Sequence, residues 1–191
     1  MKSVKIIPFI TVLSVMLAVI LLTSACNEPD KNANTKPLAD QPEIDIHTAI
    51  MSDRIDVVKQ YIKAGTDLNK KEQMSGATPL ISAATFGKTA IAEALIEADA
   101  DLSIKNNDGA TALHTAAFFC RIEIVQLLID AEADKTIKNN FGATPRESVM
   151  GSFAEIKPFY EMLQQQLGPL GLQIDLNEIE KKRPVIALML Q

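Results

Sequence analysis

Few side chains in this sequence could do chemistry, and their spacing argues against most of it. His47 and His114 are the only histidines, so a general base or an imidazole ligand would have to be one of them. A single histidine per segment is too few for a zinc site, which draws its ligands from a cluster of His, Cys and carboxylate side chains. Ser82 and Ser148 lie in helix-forming stretches with no base nearby in sequence to activate them. There is no glycine-rich phosphate loop, and the Asp and Glu residues are spread over polar faces. Of the two cysteines, Cys120 follows the apolar run Ala116-Ala117-Phe118-Phe119, and Cys26 follows Leu22-Thr23-Ser24-Ala25. The expectation is a protein that is not an enzyme, with no catalytic residue, no cofactor and no metal.

What those residues sit in is a repeat. Segments beginning at Thr78, Thr111 and Thr144 recur at a period of thirty-three. The first reads Thr78-Pro79-Leu80-Ile81-Ser82-Ala83-Ala84 and the second Thr111-Ala112-Leu113-His114-Thr115-Ala116-Ala117, each two residues after Gly76 or Gly109. A third, Thr144-Pro145-Arg146-Glu147, follows Gly142, and Ile46-His47-Thr48-Ala49 aligns as an earlier, degenerate copy. Threonine followed by proline suits an N-cap and the first helical position. Downstream, Val57/Val58 with Tyr61/Ile62, Ile91/Ala92 with Leu95/Ile96, and Ile124/Val125 with Leu128/Ile129 place apolar pairs three to four residues apart, one buried stripe per helix. One helix pair of this size cannot bury its stripe alone, so the core must form between units.

The period and the motif resemble the ankyrin repeat family, whose T-P-L-H-x-A signature marks a β-turn followed by two helices. The resemblance implies an all-α ankyrin-repeat solenoid of about four helix-turn-helix units, with β-turn tips and a C-terminal extension. The units fall at 44–77, 78–110, 111–143 and 144–167, and a C-terminal cap or extension at 168–191. It also implies that His47 and His114 are structural, bonding across the turn to a neighbouring unit. The family's usual glycines are replaced at Asp99 and Glu132, after the second helices, and at Asp53 and Cys120, between helices. A left-handed backbone there is strained, so the third unit, with Cys120 and Glu132, is expected to be locally the least stable.

In this family partners meet the turn tips and the exposed side of the first helices. Carried over, the partner-binding positions are Met51, Met74, Phe86, Asn107, Asp108, Phe118, Phe119, Asn140 and Phe141, with Ser52, Ser75, Thr85 and Gly151 beside them. So many apolar residues at solvent-facing positions point to a protein-binding stripe. The alternative is that Phe86 or Phe118 folds under the adjacent unit as core. For Cys120, which has no partner for an intramolecular disulfide once Cys26 is spent, the choice lies between a buried thiol and a redox role.

The start of the chain is a second signal. Lys2 and Lys5 precede an apolar run from Ile6 to Leu22 that ends in small residues and Cys26, the three parts of a secretory signal. It resembles a bacterial lipoprotein signal, which implies cleavage of residues 1–25 and lipidation of Cys26. An uncleaved membrane-spanning anchor is the alternative. Residues 26–43, with Pro29, Pro37 and Pro42 among polar residues, read as a flexible tether reaching about 50 Å when extended. The resemblance implies a lipid anchor in the cell envelope, and Asn27 after the cysteine favours the outer membrane, facing the periplasm, in a Gram-negative host. The chain holds 19 basic and 24 acidic residues; without Lys2 and Lys5 the balance is 17 to 24, which does not attract nucleic acid.

After the fourth unit, Phe153–Leu167 is expected to be its long second helix, and Gly168-Pro169-Leu170-Gly171 a breaker. Leu172–Leu176 alternates like a strand, Asn177–Lys182 looks helical, and Pro184 introduces an apolar end that needs cover. The function expected is a lipid-anchored protein-binding module, a stoichiometric partner or an immunity or accessory protein. The resemblance to envelope-directed ankyrin proteins implies a partner such as a phospholipase, a toxin or a catalase-like enzyme. The alternative is a structural scaffold for envelope assembly.

Overall fold

The computed structural model describes Pro42 and residues 44–191; the expected signal segment, Cys26 and nearly all of the tether lie outside the described residues. Short helices alternate in pairs: α1 (Ile46–Met51) with α2 (Ile55–Lys63), α3 (Pro79–Phe86) with α4 (Thr89–Glu97), and α5 (Ala112–Phe118) with α6 (Ile122–Asp130). Then come α7 (Glu147–Met150), α8 (Phe153–Leu167), a 3-10 turn at Gly168–Leu170, and α9 (Leu176–Met189). The described residues contain no strand.

The inner helices α3 and α5 start at their threonines. Thr78 Oγ1 accepts the amide of Ile81 at 3.3 Å, with Pro79 in the first turn. Thr111 Oγ1 accepts that of His114, and His114 answers the Thr111 amide, which closes a capping box. Thr144 and Glu147 exchange the same pair of bonds at 3.3 and 2.8 Å. In the first unit the cap shifts by one register, to Asp45, whose carboxylate takes the amides of His47 and Thr48.

The inner helices pack in one row, α1 on α3 on α5 on α7, and the outer helices α2, α4 and α6 in another. Ala49, Ala83, Ala84, Ala116 and Ala117 are fully buried in the inner row, where small side chains let backbones approach. Ile91, Leu95, Ile124, Val125 and Leu128 supply the bulk from the outer row, so each core layer is shared between units.

The end of the chain departs from the sequence expectation. The outer-helix place of the last unit, expected at Phe153–Leu167, is filled by α9, which pairs with α7 and packs on α6 as α6 packs on α4. Residues 151–175 are thus an insertion inside the fourth unit, and α8 runs over the inner-helix ends. The reason is burial: α8 fully buries only Tyr160, whereas α9 sends Ile179, Arg183 and Ile186 inward. Leu172–Leu176 is not a strand. Its backbone is satisfied by side chains, with Gln164 bracketing Leu172 O (3.3 Å) and the Ile174 amide (2.8 Å) and Arg121 donating to Gln173 O (3.1 Å). Pro184 does not begin a new element either, since it lies within α9.

The replaced turn glycines take the backbone their positions require. Asp53, Asp99, Cys120 and Glu132 have φ of 58°, 59°, 52° and 60°, against 64° at Gly65 and 67° at Gly87. The pattern of hydrogen bonds explains why. Glu132 N donates to Ile129 O and Ala133 N to Leu128 O, the same pair that Gly65 and Thr66 make to Ile62 and Tyr61.

Candidate protein-binding surface

The tips that connect units are Asx turns. Asn106 Oδ1 accepts the amides of Asp108 (3.0 Å) and Ala110 (2.9 Å), and Asn139 Oδ1 those of Phe141 and Ala143 (both 3.0 Å). In the first tip a carboxylate replaces the asparagine: Glu72 accepts the amides of Met74 (2.7 Å) and Ser75 and the Ser75 hydroxyl. Partial burial pushes the Glu72 pKa up, but the bonds from Ser75, Met74 and Ala77 together hold it below its ordinary value.

A ladder joins one tip to the next. Asn107 donates its backbone amide to Ser75 O (2.8 Å) and its carboxamide to Met74 O (3.0 Å). Thirty-three residues on, Asn140 donates to Asp108 O and Asn107 O, both at 2.9 Å. Gly76 and Gly109 are what allow it: a Cβ at either would overlap the carboxamide oxygen of that asparagine. Asn107 and Asn140, expected as partner contacts, therefore have those donors engaged within the chain. The repeated Asn-x-Gly at a fixed period was the sequence signal for this.

What the ladder presents is different. Met74 is 86% exposed and Phe141 81%, with Asp108 exposed between them. Both side chains stand on turns whose amides are bonded, so little backbone freedom remains to be lost when a partner covers them.

The phenylalanines at the inner-helix ends are a correction. Phe118 stacks on Tyr160 with ring centroids 4.6 Å apart and meets Phe119 (5.1 Å) and Phe159 (5.9 Å) edge-on. Tyr160 Oη donates to Phe118 O at 2.6 Å. Phe119 is only 7% exposed, with the Arg121 guanidinium 5.9 Å from its ring. The chain's own α8 covers Phe118, which was expected to face a partner. Met51 and Phe86 are half-buried in the same row, and Gly171 lies against Met51 O, so the insertion reaches back to the first unit.

Two arginines hydrogen-bond to the insertion without an acidic partner. Arg121 donates to Thr85 O (3.2 Å) as well as Gln173 O, and burial lowers its pKa; its Nε finds no acceptor. Arg183, 4% exposed, donates to Gly151 O at 2.9 Å and Tyr160 Oη at 3.4 Å. Burial raises the Tyr160 pKa, so the phenol stays a neutral donor.

The histidines serve the stack. His114 Nδ1 accepts the Thr111 amide (3.3 Å), which leaves its Nε2–H to donate to Ala143 O in the next unit at 3.1 Å. Burial lowers the pKa and fixes the neutral ring. His47 Nδ1 instead meets Ser82 Oγ at 2.9 Å, also across a unit boundary, and its pKa is lowered by burial too. Cys120 is buried beside Ile179 O (3.8 Å), and burial pushes its thiol up to about 11, far from the thiolate a redox role requires. Among the described residues no cluster of His, Cys, Asp or Glu could hold a metal, and no helix is long and apolar enough to cross a membrane.

A stack of helix pairs with hydrogen-bonded turn tips, two of which present a large apolar side chain, defines a protein-interaction module. The sequence profile described as ankyrin repeats (3 copies) matches residues 46–139, and these residues are ankyrin repeats. Among solved structures it is similar to the ankyrin repeat domain of Bcl-3, described as a unique member of the IkappaB protein family. The identity is 25% and the TM-score 0.52, over 54% of this chain and 45% of that one. The chain thus matches less than half the length of that structure. No protein of curated function matches it. Ankyrin repeats bind other proteins.

Proposed function

We propose that this protein is a lipid-anchored binding module of the bacterial cell envelope, held there by Cys26, which engages one partner protein stoichiometrically. The partner class is a periplasmic or secreted enzyme or toxin that the module neutralises or assists. The observation that carries the binding reading is the pair Met74 and Phe141, two large apolar side chains almost fully in solvent on hydrogen-bonded tips. The anchor reading rests on the order Lys2, Lys5, apolar run, Leu22-Thr23-Ser24-Ala25-Cys26. Two or three acyl chains there would hold the protein on a membrane stably.

Two measurements test the proposal. Mass spectrometry of the mature N-terminus should find an acylated Cys26, and Cys26→Ser should release the protein from membranes; an unmodified Cys26 sinks the anchor. Capture of the tagged full chain from solubilised envelopes should recover one protein in near-equal amount. Recovery unaffected by Met74→Asp with Phe141→Asp would reject the tips as the site.

A further inference from the structure

The tip ladder has two filled rungs and a third that ends in open acceptors. Each filled rung follows one rule: an asparagine of the following tip donates its backbone N–H and its carboxamide to two adjacent carbonyls. These are Ser75 O and Met74 O in the first rung, at 2.8 and 3.0 Å, and Asp108 O and Asn107 O in the second, both at 2.9 Å. The glycine that follows is bare on that side, and its missing Cβ makes room for the carboxamide oxygen. The third tip repeats the acceptor side completely. Asn140 O and Phe141 O accept no hydrogen bond from any described residue, and a Cβ on Gly142, at φ 78°, would meet nothing within 4 Å. Phe141 stands beside them, 81% exposed.

The chain does not supply its own next asparagine. One period after Asn140 the residue is Gln173, but α8 carries the chain over the inner-helix ends, where Gln173 O accepts from Arg121. The edge continues an interface already made twice in the molecule, so its chemistry states its occupant. We infer that the third tip binds an asparagine-bearing turn of the partner protein, the asparagine donating to Phe141 O through its backbone amide and to Asn140 O through its carboxamide. The neighbouring residue of that turn covers Phe141. Aspartate cannot replace the asparagine, because a carboxylate has no donor for Asn140 O and is repelled by it. This inference rests on the reading of the tips as the binding surface and names what one of them recognises.

The test is selection of a displayed random-peptide library on the immobilised full chain, followed by affinities of the selected peptides for three variants. Gly142→Ala places a methyl where the carboxamide oxygen must sit. Gly65→Ala is its control, since it carries the same positive-φ strain with equally open space around its Cβ but lies away from the tips. Phe141→Asp tests the tip surface without the rung. The expected result is peptides that share an asparagine and lose at least about tenfold in affinity on Gly142→Ala and on Asn→Asp in the peptide, with Gly65→Ala neutral. Peptides without a shared asparagine that are still lost on Phe141→Asp would overturn the rung and leave the tip surface standing. Peptides insensitive to both Gly142→Ala and Phe141→Asp, or no binders at all, would overturn both.

Discussion

Replacing Glu132 by glycine should stabilise this protein, although it removes a side chain and adds none. Glu132 sits just after α6 at φ 60°, is exposed, and makes no side-chain hydrogen bond or ion pair among the described residues. A left-handed backbone costs a non-glycine residue about 1–2 kcal/mol. Glycine removes that strain but makes the unfolded chain freer, an opposing term of about 0.5–1 kcal/mol. The net expectation is a gain of about 0.5–1 kcal/mol, or a Tm rise of about 1–4 °C for a domain of this size. Gly65 holds the equivalent place after α2 at φ 64° with open space around it, so Gly65→Ala should lose about the same amount. Urea denaturation of the two variants measures both signs at once, and hydrogen exchange should show α6 gaining protection in Glu132→Gly. A destabilised Glu132→Gly with an unchanged Gly65→Ala would refute the strain argument. So would exchange that shows the third unit, which carries Cys120 and Glu132, to be the best protected.

Phe118→Asp should destabilise by about 2–4 kcal/mol, from lost aromatic burial and a charge set against Tyr160, while Phe141→Asp should cost under about 0.5 kcal/mol; chemical denaturation of each separates core from surface. Asn107→Ala removes one rung bond but leaves Met74 O open to water, so a loss of about 1 kcal/mol is expected in the same assay. His114 has a pKa lowered by burial, so the unfolded chain binds the proton first. Its contribution is full above the ordinary pKa of 6.5 and is lost as pH falls from there toward the folded value. Stability measured across that range should drop on acidification, and His114→Gln should flatten the drop. Arg183→Met should be neutral or stabilising, because a buried guanidinium with no carboxylate gives up two bonds to neutral acceptors and gains apolar contact; a large loss on denaturation would contradict this.

The repeat was legible because period, threonine caps and paired apolar residues all express the same local geometry, from Thr78 and Thr111 to the buried Ile91/Leu95 and Ile124/Leu128. The strained turns were legible too, since alignment alone puts Cys120 and Glu132 where glycine is required. The end of the chain was not. Helical periodicity marks Phe153–Leu167 and Asn177–Lys182, but that the second helix runs from Leu176 through Pro184 to Met189, and that it and not the first stacks on α6, depends on the buried areas of long-range contacts. The same gap misplaced Phe118 and Phe119, because exposure at the ends of inner helices is decided by what α8 lays over them. Asn107 and Asn140 are exposed but looked free to bond a partner for a related reason: their bonds run to a neighbour a full period away.

The claim that the tips, and not the inner-helix ends, hold a partner is tested most directly by a hydrogen-exchange footprint of the full chain with its captured partner. Protection is expected at the amides of Met74–Gly76 and Asn140–Gly142, with α8 and the backbone around Phe118 unchanged on binding. Protection confined to α8, α9 and the backbone around Phe118, with the tips exchanging as in the free protein, would contradict it.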